Sequence, residues 1–461
     1  MMELWITAWI ISVISAGGAW FFARQAGLRL METMVFVSIF FPAPLFIAMG
    51  GGNSFVYAYD LMAPLAVGLT LRRWNKVPPM AKQVAGWLLA GVGLVPWLVV
   101  FFLADRESVL YTGISFYRLV GAMAVMCLMA VEAGRLEERS AGLLRAVGWM
   151  SIVLVVATVL QSHGWINSNV FYSVGREDSL EENDSMRYIT AGLFRGSIGI
   201  IGALGWVSFL AQCQAGGWRG AFAFLGGAAG GLLIILCGSK TSLLAAMVTT
   251  VAGRLLFGSR LQRLWKKLAV VVVGLVAVAG VYLYAKDEIY FSYTLGVLGL
   301  SDESLDTFNY RQERWQEATD LLQEDPKIVM GVSTPFGSER GMAYFHNEYI
   351  GLFMSGGLWS AGGYFVGLFL LARALFRHRR RASTNAVFGG LTFLVSLIQG
   401  ASVNHMAPGI FFGCTVFMAT CAYGLGLGHA SLETETPLST APEAEEAHDA
   451  PATDVLDGVR A

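Results

Sequence analysis

VAGWLLAGVGLVPWLVVFFLA, from Val84 to Ala104, carries no charged residue and is long enough to cross the hydrocarbon core of a bilayer as a helix. Core helices of soluble proteins rarely run that far without an ion. Runs of the same kind recur at about 4–22, 33–49, 54–71, 114–132, 142–161, 191–213, 221–237, 241–257, 268–285, 346–371, 386–402 and 408–427. Only 14% of the chain is charged, where a soluble protein has roughly 25%. The reading is an all-α, polytopic transmembrane helical bundle of about 12–13 spans. The first apolar run follows Glu3 rather than a basic segment and leads straight into another span, so it reads as a span and not as a cleavable leader.

Charge sidedness orients the bundle. Arg24 and Arg29; Arg72, Arg73, Lys76 and Lys82; Arg135 and Arg139; Arg260, Arg263, Lys266 and Lys267; and Arg377, Arg379, Arg380 and Arg381 all fall, by alternation of the spans, on one side. Lys- and Arg-rich loops mark the cytoplasmic side. The N-terminus is then outside and the tail inside. The expected organisation is spans over 1–161, an outer loop at 162–190, spans over 191–285, a large periplasmic loop at 286–345, spans over 346–427 and a tail over 428–461. That tail is rich in Ala, Pro, Glu and Thr, lacks apolar periodicity and reads as disordered. Glycines such as Gly226 and Gly230 inside apolar runs let helices approach closely. The five cysteines lie in or beside spans, with no C-x-x-C spacing, which supports neither a disulfide framework nor a zinc site.

The large outer loop holds a helical pattern near Tyr310–Gln323, stopped by Asp325-Pro326. At 100° per residue, Arg311, Trp315, Ala318 and Leu322 form one stripe, with Arg314 and Leu321 at its edge. Glu313, Gln316, Glu317 and Asp320 lie opposite. The stripe docks the helix on the membrane domain, so Arg311 points into the protein and needs an anion: a phosphate, or a carboxylate of the loop. His346 opens the next span at the outer surface. A helix N-terminus disfavours a cation, which suits a neutral imidazole acting as general base; a helix cap or loop anchor is the other reading. Before the span at 191, Arg187 and Arg195 enter the outer leaflet amid glycines. Arg195 lies about a turn inside, where it needs an anion or a water-filled cavity, unless it snorkels to the interface. Lys240, in the turn Gly238-Ser239-Lys240-Thr241, adds a cation or an interfacial anchor. The acidic run Glu177, Asp178, Glu181, Glu182 and Asp184 reads as a solvated loop face, a divalent-ion site or a partner for the arginines. Asp60, the one acid in its span, makes no ion pathway by itself.

Taken in order, Arg187…Gly192…Phe194, Gly238-Ser239-Lys240, Arg311…Trp315, Gly331 and His346-Asn347-Glu348-Tyr349 resemble the O-antigen ligase/polymerase superfamily over about residues 186–375. Family members often show Asn-Pro-Asn where this chain has Arg195-Gly196-Ser197, and Arg where it has Lys240; both changes keep or add positive charge. The resemblance implies a GT-C-like fold in the bacterial inner membrane. It implies metal-independent, inverting transfer of a glycan from undecaprenyl pyrophosphate to an acceptor hydroxyl, on lipid A core or on another lipid-linked glycan. No cofactor is implied. Membrane lipids and polysaccharide export proteins would be its neighbours, and no nucleic acid is involved. Carried over by motif, His346 takes the acceptor proton while Arg187 and Arg311 hold the departing pyrophosphate. Arg195, Arg314, Lys240, Asn347 and Tyr349 join the substrate-binding set. A transporter or flippase is the competing reading; it would show internal repeats or ionisable groups at mid-membrane. The sequence has no repeat, and its site candidates gather at the outer surface.

Overall fold

The computed structural model describes residues 2–47, 55–103, 106–170, 190–191, 193, 195–213, 217–257, 303–333, 347–377, 383–401 and 413–435. Six stretches among these are long and apolar enough to cross a membrane: Met2–Ala26, Pro79–Leu103, Thr112–Ser162, Gly217–Leu236, Lys240–Phe257 and Glu348–Phe376. Shorter apolar helices cover Gly196–Gln212, Thr384–Gly400 and Gly413–Gly428. The chain is a multi-pass, all-α membrane protein. The span expected at 268–285 and the acidic run at 177–184 lie outside the described residues.

The elements follow in chain order. α1 (Met2–Ala26) and α2 (Leu30–Ser38) lead to a two-stranded antiparallel hairpin, β1 (Phe46–Ile47) with β2 (Phe55–Val56), and then to α3 (Ala58–Arg72). α4 (Pro79–Leu88) passes through a π-helical segment, Leu89–Leu94, into α5 (Val95–Leu103). α6 (Arg106–Leu136) and α7 (Leu144–Ser162) join through a 3-10 turn, so the 51-residue apolar stretch is two crossings. α8 (Arg195–Gln212), α9 (Gly217–Leu236) and α10 (Lys240–Phe257) follow. α11 (Glu303–Glu324) belongs to the large loop, and α12 (Glu348–Phe376), α13 (Thr384–Gly400) and α14 (Gly413–Glu435) complete the bundle. α14 continues past Gly428 to Glu435, into the stretch read from composition as tail.

The span expected at 33–49 is not one helix. α2 stops at Ser38, and the chain continues as an irregular stretch through Phe41-Pro42-Ala43-Pro44. Each proline lacks an amide donor and excludes the residue before it from helical geometry. The freed backbone is tied to α1: the Ser12 hydroxyl accepts from the Ala43 amide at 3.0 Å, and Trp9 Nε1 donates to the Pro44 carbonyl at 2.8 Å.

Close helix contacts rest on glycine, as the small-residue pattern implied. A methyl on Gly226 would stand 2.7 Å from the Cα of Gly148, bringing α7 and α9 into backbone contact. One on Gly202 would stand 2.7 Å from the Gly230 carbonyl, joining α8 to α9. Lipid offers no hydrophobic drive between helices, so this close packing is what holds them together.

Charges also enter the bundle, which the linear pattern hid. Arg118 on α6 grips Asp60 on α3 through two hydrogen bonds of 2.8 and 2.7 Å and donates to the Phe55 carbonyl, with Tyr57 and Tyr59 flanking its guanidinium. At the other end of α3 and α6, Arg73 bridges Glu32 and Glu132, and Arg135 pairs with Glu132. Arg29, Lys76 and Arg135 line one cavity with Arg73, so basic residues from two connecting segments and the last turn of α6 meet at one end.

Candidate functional site

α8 and α10 run in the same direction and α13 in the opposite one, and the three share both ends. Gln212 at the end of α8, Phe257 at the end of α10 and Thr384 at the start of α13 line one basic cavity. Their other ends, at Arg195, Lys240 and Gly400, therefore meet roughly 27 Å away across 18 residues of helix. The candidate site is built at that far end, opposite the basic loops.

The start of α12 is its anchor. Asn347 is the N-cap: its side-chain oxygen accepts from the amides of Tyr349 at 3.0 Å and Ile350 at 3.2 Å. This is why an Asn opens the helix, since the first-turn amides have no partner within it. The Asn347 Nδ2 donates to the Ala401 carbonyl at 3.2 Å, and the Tyr349 hydroxyl donates to the Leu397 carbonyl at 2.7 Å. Both bonds lock α12 to the end of α13. Glu348 is fully buried between them and is hydrogen-bonded by the Tyr364 hydroxyl. It lies so close to Gly400 that a methyl there would come 3.0 Å from its carboxylate.

The Gly238-Ser239-Lys240 turn joins this anchor from α10. Gly238 sits at φ +61°, a left-handed turn position, and α10 starts at Lys240. Gln399 on α13 donates to the Ser242 hydroxyl at 2.8 Å, and Ser242 pairs with Ser239 at 2.7 Å. Gly199, one turn into α8, packs on the same two serines. Lys240 is exposed at the head of this junction. The entry to α8 is held as well: Thr190 pairs with Thr158 at 3.1 Å, and the Ala191 amide donates to the Ser168 hydroxyl at 2.9 Å. Arg195 is the first residue of α8.

The loop helix arrives from the side. Ala318, Leu321 and Leu322 of α11, with Ile328, pack on Ile350, Phe353 and Met354 in the first two turns of α12. Ala318 is buried while Glu313, Gln316 and Asp320 are exposed, so the stripe faces the bundle as its periodicity required. Asp325-Pro326 ends the helix, and a 3-10 turn, Pro326–Met330, delivers Gly331 into a kink of α12 at Gly356–Gly357. Gly331 at φ +68° and Gly357 at φ +60° meet backbone to backbone, with no room for a side chain on either. Arg311 is half-buried on the docking stripe, and Arg314 pairs with Glu317 at 2.8 Å.

The structure thus brings Asn347, Tyr349, Lys240 and the start of α8 to one end, with the Arg311 helix docked on α12 beside them. Arg187 and His346 lie outside the described residues, as does the side chain of Arg195. Gln399, Ser242 and Tyr364 were missed in the sequence, and Glu348 was read only as part of a motif. The only signal was an acid in the first turn of an apolar span, and hydropathy does not reveal its partners. Three helix N-termini gathered in one place present the positive ends of their dipoles, a setting that favours an anion.

A family model described as O-antigen ligase matches residues 221–365, which include Lys240, Arg311, Arg314, His346, Asn347 and Tyr349 and leave out Arg187 and Arg195. No curated protein matches the chain.

Proposed function

We propose, taking the chain's assignment to the O-antigen ligase/polymerase superfamily as the premise, that it moves a glycan from undecaprenyl pyrophosphate to an acceptor hydroxyl at the periplasmic face of the bacterial inner membrane. The acceptor is lipid A core or a second lipid-linked glycan. The observation that carries the reading is the junction in which the starts of α8, α10 and α12 meet at the end opposite the basic loops. Lys- and Arg-rich ends face the cytoplasm, so the junction faces outward.

In this reading the His346 imidazole accepts the acceptor's proton, and the freed oxygen attacks the anomeric carbon from the face opposite the leaving group. The glycosyl C–O bond breaks with inversion, and its electron pair leaves on the pyrophosphate. Arg187 and Arg311 stabilise that charge, with Arg195, Arg314 and Lys240 around them. A guanidinium stays charged at any working pH, so the clamp operates without a metal. Asn347 and Tyr349 fix the helix start directly after His346, which limits how far the base can wander. The reading also gives the docking of α11 a purpose, since it sets Arg311 against the membrane domain.

The test is a deletion strain complemented with wild-type, Arg311→Ala or His346→Ala chains, with surface and lipid-linked glycans analysed. Long glycans retained on the lipid carrier identify a ligase, and single repeats identify a polymerase. Normal glycans in the deletion strain would contradict the proposal.

A further inference from the structure

At the opposite end of the bundle, a cavity of about 460 Å³ lies among α1, α7, α8, α9, α10 and α13. Among the described residues Arg139, Arg145 and Arg219 line it, with Gln25, Gln212 and one acid, Glu138. Arg145 is the unusual member. It is 8% exposed, yet it has no carboxylate at ion-pair distance among the described residues. Its Nη1 donates to the Gln25 side-chain oxygen at 3.1 Å, its guanidinium lies 5.2 Å from the centre of the Trp218 ring, and its Nε has no partner among the described residues. The other inward-placed arginines are neutralised: buried Arg118 has Asp60, and half-buried Arg73 has Glu32 and Glu132. A buried cation without a counter-charge is costly, and two further guanidiniums beside it raise that cost.

We propose that this cavity is a binding site for a phosphoryl anion, and that Arg145 and Arg219 are its principal ligands. A guanidinium fork matches phosphate oxygens, and the Gln25 amide nitrogen, whose oxygen takes the Arg145 bond, can add a donor. The rest of the wall points to an amphiphile. Leu210, Phe257 and Val387 supply an apolar side, and Trp218, 53% exposed, lies against Arg145, as aromatic residues sit at the membrane interface. Basic pockets between helices at the basic end of a membrane protein are suited to anionic lipid headgroups. The same chemistry also accepts free phosphate, so the two sources must be separated by experiment. The site is distinct from the junction at Asn347, with the length of α10 between them.

The full-length chain in detergent is titrated with phosphatidylglycerol, with phosphatidylcholine and with inorganic phosphate, while thermal unfolding and bound lipid by native mass spectrometry are read. Phosphatidylglycerol should raise the melting temperature and remain bound where phosphatidylcholine does not. Arg145→Gln and Arg219→Gln should each weaken that binding on the order of tenfold, the loss of a charge-assisted contact. Inorganic phosphate that reproduces the shift would support the site with a soluble source; phosphate without effect would support the lipid source. Arg219 is exposed, so Arg219→Gln tests the site even where Arg145→Gln fails to fold. Equal effects of the two lipids, or wild-type binding by Arg219→Gln and Arg145→Gln, would overturn the proposal.

Discussion

Replacing Gly357 by Ala should undock the loop helix while leaving the membrane bundle assembled. Gly357 has φ +60° and ψ −150°, a backbone region occupied almost only by glycine, and holding an alanine there costs about 1–3 kcal/mol. The new methyl would also point at the amide of Gly331, the carbonyl of Val329 and, at 2.7 Å, the carbonyl of Ile328. Those are backbone atoms of the 3-10 turn, so the turn must move away. What holds α11 down is a small cluster in which Ile328 and Met354 are nearly fully buried and Ala318 adds a methyl. Burial of the two larger side chains contributes roughly 1.5–3 kcal/mol each. Strain of the expected size therefore removes a large share of the docking energy, and the undocked population rises about 5- to 150-fold. Hydrogen exchange of the amides from Arg311 to Met330, measured on the full chain in nanodiscs, reads this directly, with glycan transfer falling in parallel as Arg311 loses its seat. Gly362→Ala is the control, because a methyl there meets nothing within 4 Å and the helix is regular. Wild-type exchange in Gly357→Ala, or equal loosening in Gly362→Ala, would refute the reasoning.

Further outcomes follow from the same geometry. Asn347→Ala removes a cap worth about 0.5–2 kcal/mol and the tether to Ala401, so thermal stability and transfer should both fall; Asn347→Asp, which keeps the capping oxygen but has no donor for the Ala401 carbonyl, should recover only the cap's share of the stability in a melting measurement. Asp60→Ala strands the buried Arg118 and should destabilise the chain by about 3–5 kcal/mol in denaturant titration, while Asp60→Leu with Arg118→Met should recover much of that loss. Gly226→Leu drives a side chain into the backbone of Gly148 and should cost about 1–3 kcal/mol in the same assay; an unchanged midpoint would show that α7 and α9 are not held by that contact.

The membrane fold was legible because lipid demands long uncharged helices, and each run of that length stands out from Val84–Ala104 onward. The exception is instructive. Residues 33–49 are as apolar as a span, but Pro42 and Pro44 deny the helix its amides, and hydropathy does not register a missing donor. The docking face of α11 was readable from period alone, since Ala318 and Leu322 recur on one side and the acids on the other. Glycines marked for close approach, Gly226 and Gly230, also held their meaning. What escaped were the polar pairings between residues distant in sequence. Arg118 reaches Asp60 across 58 positions, Gln399 reaches Ser242 across 157, and Arg145 reaches Gln25 across 120. Pairings of that kind depend on helix register and rotation in three dimensions, which a one-dimensional pattern does not carry. Gly331 shows the middle case: it was visible as part of a motif, and the structure supplies the reason, a backbone contact with Gly356 and Gly357.

The central claim is that this chain transfers a lipid-linked glycan at the junction of α8, α10 and α12. Its most direct test supplies the purified full-length chain, in nanodiscs, with an undecaprenyl-pyrophosphate-linked glycan and an acceptor, in EDTA and without nucleotide or ion gradient. The account predicts glycosylated acceptor at a rate unaffected by EDTA, and a loss of about 10²–10⁴-fold in His346→Ala, the contribution of a general base. Turnover abolished by EDTA, or undiminished in His346→Ala, would contradict it.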